Sequence, residues 1–169
     1  MPLTKIQSLG ITDGTIVNAD INASAAIAGT KLSGAGKVLQ VITATETTLR
    51  STTSSSFVTG SNTLSVSITP SSASNKVFVV ATFNIGMSNT THTGAVTIFR
   101  GATDIGSGGA GMSYVKGIDD DGIPASVSVL DSPSTTSSTT YQIYFKNVSG
   151  GTTYLSQGKG SITAFEIAA

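Results

Sequence analysis

The sequence predicts an all-β fold, an antiparallel sandwich or jelly roll preceded by an extended N-terminal arm. Three observations carry this expectation. Ser and Thr, at 25 and 26 of 169 residues, alternate with Val, Ile, Leu and Phe over several segments, as half-buried strands require. Clusters of Gly, Asn, Asp and Pro break those segments at short intervals, as turns do. The chain is formally neutral and 38% hydrophobic, whereas a disordered chain is poor in β-branched residues and carries net charge.

The elements follow in order. Lys37–Leu49 starts with Val38, Leu39 and Val41 and fades into threonines. Thr63–Thr69 alternates cleanly, with Leu64, Val66 and Ile68 on one face and hydroxyls on the other, and residues 70–75 form a turn. Lys76–Met87 is the most apolar strand: Val77, Val79, Ala81, Phe83 and Ile85 share a face, and Phe78 and Val80 make the start of the opposite face apolar too. Thr93–Arg100 ends at a turn over residues 101–104, and the glycine-rich loop Gly106–Gly111 leads into Met112–Val115. A loop tip at Asp119–Gly122 precedes the strand Ser126–Leu130, and Asp131-Ser132-Pro133 opens a loop through Ser138. Tyr141, Ile143 and Phe145 alternate with polar or amphipathic partners, and Thr153–Ser156 and Ser161–Ala168 close the chain. A domain of about 130 residues buries roughly two thirds of its unfolded surface and needs no staples.

Residues 1–35 read differently from 36–169. Ile11, Ile16, Ile21, Ile27 and Leu32 recur at spacings that match neither a strand nor a helix, with Asp13-Gly14 and other turn formers between them. So small a segment cannot bury five aliphatic side chains against itself. It calls for sister copies or another protein, or else folds back on its own domain.

Composition excludes whole classes of function. Only 11% of residues are charged, nine of each sign, so the cation cluster that nucleic acid or an anionic membrane surface demands is absent. No apolar run approaches a membrane span, and no signal peptide is expected at the start. Without cysteine there is no disulfide, thiolate site or cysteine nucleophile, and His92 alone cannot form a multi-histidine site. The triplet Asp119, Asp120 and Asp121 reads as a solvated loop, since three consecutive aspartates cannot all face one ion; a calcium contact would need backbone carbonyls as well. No phosphate loop or nucleophile elbow occurs. A carboxylate pair drawn from Glu46, Glu166 and the aspartates is the one remaining route to glycoside hydrolysis, and nothing in the pattern points to it. No catalytic residue, metal or cofactor is expected.

The segment Leu9-Gly10-Ile11-Thr12-Asp13-Gly14-Thr15-Ile16-Val17-Asn18-Ala19-Asp20-Ile21, continuing to Ala26-Ile27-Ala28-Gly29-Thr30-Lys31-Leu32, resembles the repeat-like N-terminal segments of tail-fibre and related virion proteins of tailed, cyanophage-like bacteriophages. Downstream, Ser67-Ile68-Thr69-Pro70-Ser71-Ser72, Asn75-Lys76-Val77-Phe78-Val79, Ile98-Phe99-Arg100-Gly101, Leu130-Asp131-Ser132-Pro133, Thr140-Tyr141 and Ile162-Thr163-Ala164-Phe165-Glu166-Ile167 are similar, in that order, to the domain that follows such segments. The resemblance implies a trimeric jelly roll of the tumour-necrosis-factor and complement type, located in the virion and without catalytic residues. The residues agree with a trimer: the two-sided apolar start of the 76–87 strand makes Phe78 and Val80 interface candidates.

The expected function is a tail fibre or fibre-tip adhesin. The alternative is a capsid or tail decoration or connector protein that binds no receptor, and a carbohydrate-active enzyme is a distant third. Ile11, Asp13, Gly14, Ile16, Ile21, Ile27 and Leu32 are the expected attachment arm toward other virion proteins. Host contact, including a cell-surface glycan, is expected in the loops 106–114, 116–122 and 132–138, with Tyr114, Lys116, Asp119, Asp120 and Asp121 as candidates.

Overall fold

The computed structural model describes residues 37–106, 108–117, 122–156 and 158–169. The arm residues Ile11, Asp13, Gly14, Ile16, Ile21, Ile27 and Leu32 lie outside the described residues, as do Asp119, Asp120 and Asp121. The strands are β1 (Val38–Glu46), β2 (Arg50–Thr52), β3 (Ser65–Ile68), β4 (Lys76–Met87), β5 (Thr93–Arg100), β6 (Thr103–Asp104), β7 (Ser113–Lys116), β8 (Ile123–Asp131), β9 (Thr139–Asn147), β10 (Thr153–Leu155) and β11 (Gly160–Ile167). Among the described residues a single 3-10 turn, Gly108–Ala110, interrupts this all-β pattern, and none of them form a helix long and apolar enough to cross a membrane.

Every strand pairing is antiparallel, and the strands form two sheets. In the first sheet, β4 pairs with β8 on one edge and with β11 and then β10 on the other. β1 continues from β11 and β2 from β10. The first sheet is thus four strand positions wide: β1/β2, β10/β11, β4 and β8. The second is equally wide, with β3, β9 and β5 in order and β6 and β7 sharing the far edge of β5.

Alternation explains the core. Val77, Val79, Ala81, Phe83 and Ile85 of β4 and Ile162 and Ala164 of β11 point inward from the first sheet. Val66, Val96, Ile98, Tyr141, Ile143 and Phe145 meet them from the second. The two sheets are tied along both sides. On one side Gln40 Nε2 donates to Thr69 O at 2.8 Å and the Thr63 hydroxyl to Thr45 O at 3.1 Å. On the other, Arg100 at the end of β5 reaches Asp131 at the end of β8, 2.9 Å away.

β4 and β5 have the bounds that the sequence predicts, whereas the cleanly alternating segment 63–69 forms the shorter β3. The expected strand 37–49 instead stops at Glu46, and the separate β2 begins at Arg50. Glu46 ends β1 because its carboxylate accepts the N–H groups of Thr47, Thr48 and Thr63, the Thr63 hydroxyl and Arg50 Nε, all at 2.9 to 3.1 Å. The backbone donors of the corner are therefore satisfied without a ladder. β8 starts at Ile123, earlier than expected, since Pro124 sits on the exposed outer edge, where its missing N–H removes no ladder bond.

Gly60 occupies a left-handed conformation (φ 52°) directly over the fully buried ring of Phe145. A Cβ there would stand 2.6 Å from Phe145 Cζ, and the ring, packed in the core, cannot retreat. Gly60→Ala should lower the unfolding free energy by about 1–3 kcal/mol. Chemical denaturation checks this, and a midpoint equal to that of the parent chain contradicts it.

Candidate functional site

The first sheet has an outer face that no described element covers. Its register aligns Val41, Phe165, Phe78 and Leu130 in one row across all four strand positions. The rings of Phe78 and Phe165 are 6.1 Å apart between centroids. The next row holds Thr43, Thr163, Val80 and Ser128, and the one after it Thr45, Ser161, Thr82 and Ser126. Hydroxyl pairs bind across strands there, Thr43 to Thr163 and Thr82 to Ser161, each at 3.0 Å. The face is apolar toward the Lys37 end of the sandwich and hydroxyl-lined toward the other.

Val41 is 54% exposed and Leu130 55%. With Val38 and Leu39 beside them, this face carries four of the seven exposed large hydrophobic side chains among the described residues. Scattered exposed leucines need no explanation, but a contiguous row does. Phe78 and Val80, the interface candidates read from the sequence, both stand on this face, half-buried. Val41, Phe165 and Leu130 were not singled out by sequence, because only strand register shows that they share a row with Phe78.

The host-contact candidates separate. Tyr114 and Lys116 project from the same exposed side of β7, opposite Ala95 and Thr93 of β5. They lie toward the end formed by residues 88–92, Gly117 and 148–152. The Ser132–Ser138 loop is at the opposite end, with Lys37, the 69–75 turn and Ala168. Residues 108–112 fold onto the second sheet: Met112 N–H donates to Val96 O, and the Lys146 ammonium bonds Gly109 O while lying 4.5 Å from the centroid of Phe57. Tyr114 and Lys116 thus stand at the opposite end of the sandwich from the Ser132–Ser138 loop.

Two buried carboxylates hold the frame. Glu166 lies on the inward face of β11 and accepts from Gln40 Nε2, Ser71 N–H, the Ser71 hydroxyl and Asn75 Nδ2 at 2.6 to 2.7 Å. Burial alone would push its pKa up; the bonds from Gln40, Asn75 and Ser71 outweigh burial and lower it to about 2. Glu46 behaves alike: burial opposes ionisation, but Thr48, Thr63 and Arg50 lower its pKa to about 2. The two residues occupy opposite ends of the β1–β11 ladder, with Glu46 facing Gly160 and Glu166 facing Gln40. Roughly 20 Å of strand separates them, so they do not form an acid–base pair. Each fixes a turn.

Tyr141 donates its hydroxyl to Asp131 at 2.7 Å. Burial first, and then this bond, raise its pKa well above the usual phenol range. His92 rests against Gly151, with Nδ1 3.2 Å from the Ser88 hydroxyl. Among the described residues no three acidic or histidine side chains gather as a metal site. No protein-family model matches the chain, and no match was found among curated proteins.

Proposed function

We propose that this chain is a non-enzymatic structural protein of a bacteriophage virion, a trimeric tail fibre or fibre-tip adhesin. The observation that carries the reading is the apolar row Val41–Phe165–Phe78–Leu130. A nearly uncharged, flat sheet face suits copies of itself: cyclic symmetry closes and leaves no edge to propagate a filament. Three copies bury the row around one axis, each residue worth about 1.5–3 kcal/mol when fully covered.

Topology supports a jelly roll. Counting β1/β2, β6/β7 and β10/β11 as single positions gives eight strands, ordered 1-8-3-6 in one sheet and 2-7-4-5 in the other. Two interleaved Greek keys produce this order. It agrees with the resemblance to phage fibre domains, which assigns residues 1–35 to attachment on other virion proteins. The end of the sandwich carrying Lys116 and residues 88–92 and 148–152 is then the one farthest from Lys37, and Tyr114 and Lys116 face outward for host contact, including a cell-surface glycan.

The test uses particles. A chain beginning at Gly36 should remain folded, with an unchanged melting transition, and be missing from purified virions, where antibody labelling finds the full chain on the tail. Normal incorporation of the shortened chain overturns the attachment role. Labelling on the capsid, or unchanged adsorption by particles lacking the protein, turns the reading to the decoration or connector role.

A further inference from the structure

A second feature, separate from the Tyr114 edge, has the chemistry of a ligand site. Where the β5–β6 turn meets the Ser132–Ser138 loop there is a cleft of about 370 Å³, lined by Arg100, Pro133, Thr135, Ser138, Thr139 and Thr140. Its size falls within the range of small-molecule sites. Gly101, at φ 57°, forms part of its wall, and a Cβ there would meet nothing within 4 Å, so this side is open.

Arg100 supplies the charge. Among the described residues only its Nη1 is engaged, donating to both oxygens of Asp131 at 2.9 Å and to Ser132 O at 3.4 Å. Nε and Nη2 have no described partner. Asp131 is itself held by the hydroxyl of the buried Tyr141, so the guanidinium is fixed before any ligand arrives. Asp131 offsets part of the charge, which leaves recognition to directed hydrogen bonds from the planar fork, the geometry that suits a carboxylate or sulfate.

The rest of the lining is hydroxyl. Thr135 Oγ1 accepts from Ser137 N–H and keeps its own proton to give. Thr139 donates to Ser137 O and keeps lone pairs, and Thr140 shares a bond with Ser67. Ser138 Oγ has no described partner. A wall of mixed donors and acceptors, with the Pro133 ring as a single apolar surface, complements a polyhydroxyl ring and offers nothing to a large apolar ligand.

We propose that this cleft binds the anionic group of an acidic sugar, a carboxylate or sulfate held by Arg100 with the ring against the hydroxyl wall. The cleft lies at the Lys37 end of the sandwich, opposite the Tyr114 edge, so the proposal goes beyond the host-contact reading and does not depend on it, and binding is measured on the isolated protein. Its failure therefore leaves the virion assignment intact, and loss of that assignment leaves the binding measurable.

Saturation-transfer NMR on the full chain, with glucuronate, glucose 6-sulfate, glucose and a short oligo-glutamate peptide as probes, decides it. The expected result is binding of one or both acidic sugars at a Kd on the order of 1–10 mM, with glucose at least about tenfold weaker. Which acidic sugar binds more tightly identifies the anion. Arg100→Gln should weaken that binding at least about tenfold. Ser138→Phe fills the cleft from an exposed position without touching the Arg100–Asp131 pair; it should abolish binding with the melting transition unchanged, and decides the matter if Arg100→Gln fails to fold. No signal from either acidic sugar, or a folded Ser138→Phe variant that binds as the parent does, overturns the proposal. Preference for the peptide over both sugars overturns the assignment to a glycan.

Discussion

Replacing Glu166 with Gln should lower the unfolding free energy at pH 7 by on the order of 2–4 kcal/mol, and the loss should shrink as the solution is acidified. The carboxylate is buried and holds the 69–75 turn through Ser71 and Asn75 and the β1 edge through Gln40. A neutral amide keeps the shape but presents one acceptor oxygen and an NH2 group where four donors converge. The sign of the pH effect follows from the direction of the shift. Glu166 titrates near 4.5 when unconstrained and at about 2 in the folded chain, so its ionisation stabilises the fold fully above about pH 5. That contribution is lost progressively as the pH falls from about 5 toward 2, and below that both states are protonated. Glu46, lowered to about 2 by its own donors, adds a loss in the same window. Urea titrations of the parent chain and the variant from pH 7 to pH 2 check this: the two stability curves should converge at the acid end. Parallel curves over the whole range contradict it.

Replacing Phe78 with Glu should abolish self-association and leave the domain folded. Phe78 faces outward, so its substitution opens no cavity in the sandwich, whereas Val77 and Val79 on either side are fully buried. In an assembled trimer, three glutamates would be driven into the apolar row beside Phe165 and Leu130, three charges without partners. The penalty of several kcal/mol per buried charge, added to the lost burial of Phe78, offsets most of what the rest of the row returns. The melting transition should then become independent of protein concentration. Light scattering should give the monomer mass of 17.0 kDa for the variant. A variant that associates as the parent chain does places the interface elsewhere.

The strands were legible where one physical signal dominates. β4 spans the run in which every second side chain, from Val77 to Met87, is apolar and buried. β9 shows the same alternation in Tyr141, Ile143 and Phe145, all fully buried. The corner after Glu46 was hidden, because a carboxylate in a threonine-rich strand looks like any solvent-facing residue until Thr63 folds over it. Glu166 offered a clearer sign: it continues the inward parity of Ile162 and Ala164, and a carboxylate at a core position must have donors waiting. The site was legible only in part. Phe78 and Val80 stood out on their own strand, but Val41, Phe165 and Leu130 join them through pairings of distant segments that local pattern cannot encode. Arg100 and Asp131 read as ordinary turn-flanking charges until the two sheets bring them within 2.9 Å.

The central claim is that the apolar row closes on copies of the same chain. Its most direct test is the mass of the full chain in solution at micromolar concentration, measured by sedimentation equilibrium. The account predicts a single species of three times the 17.0 kDa chain mass, stable on dilution through the micromolar range. A stable monomer carrying the same exposed row would contradict it.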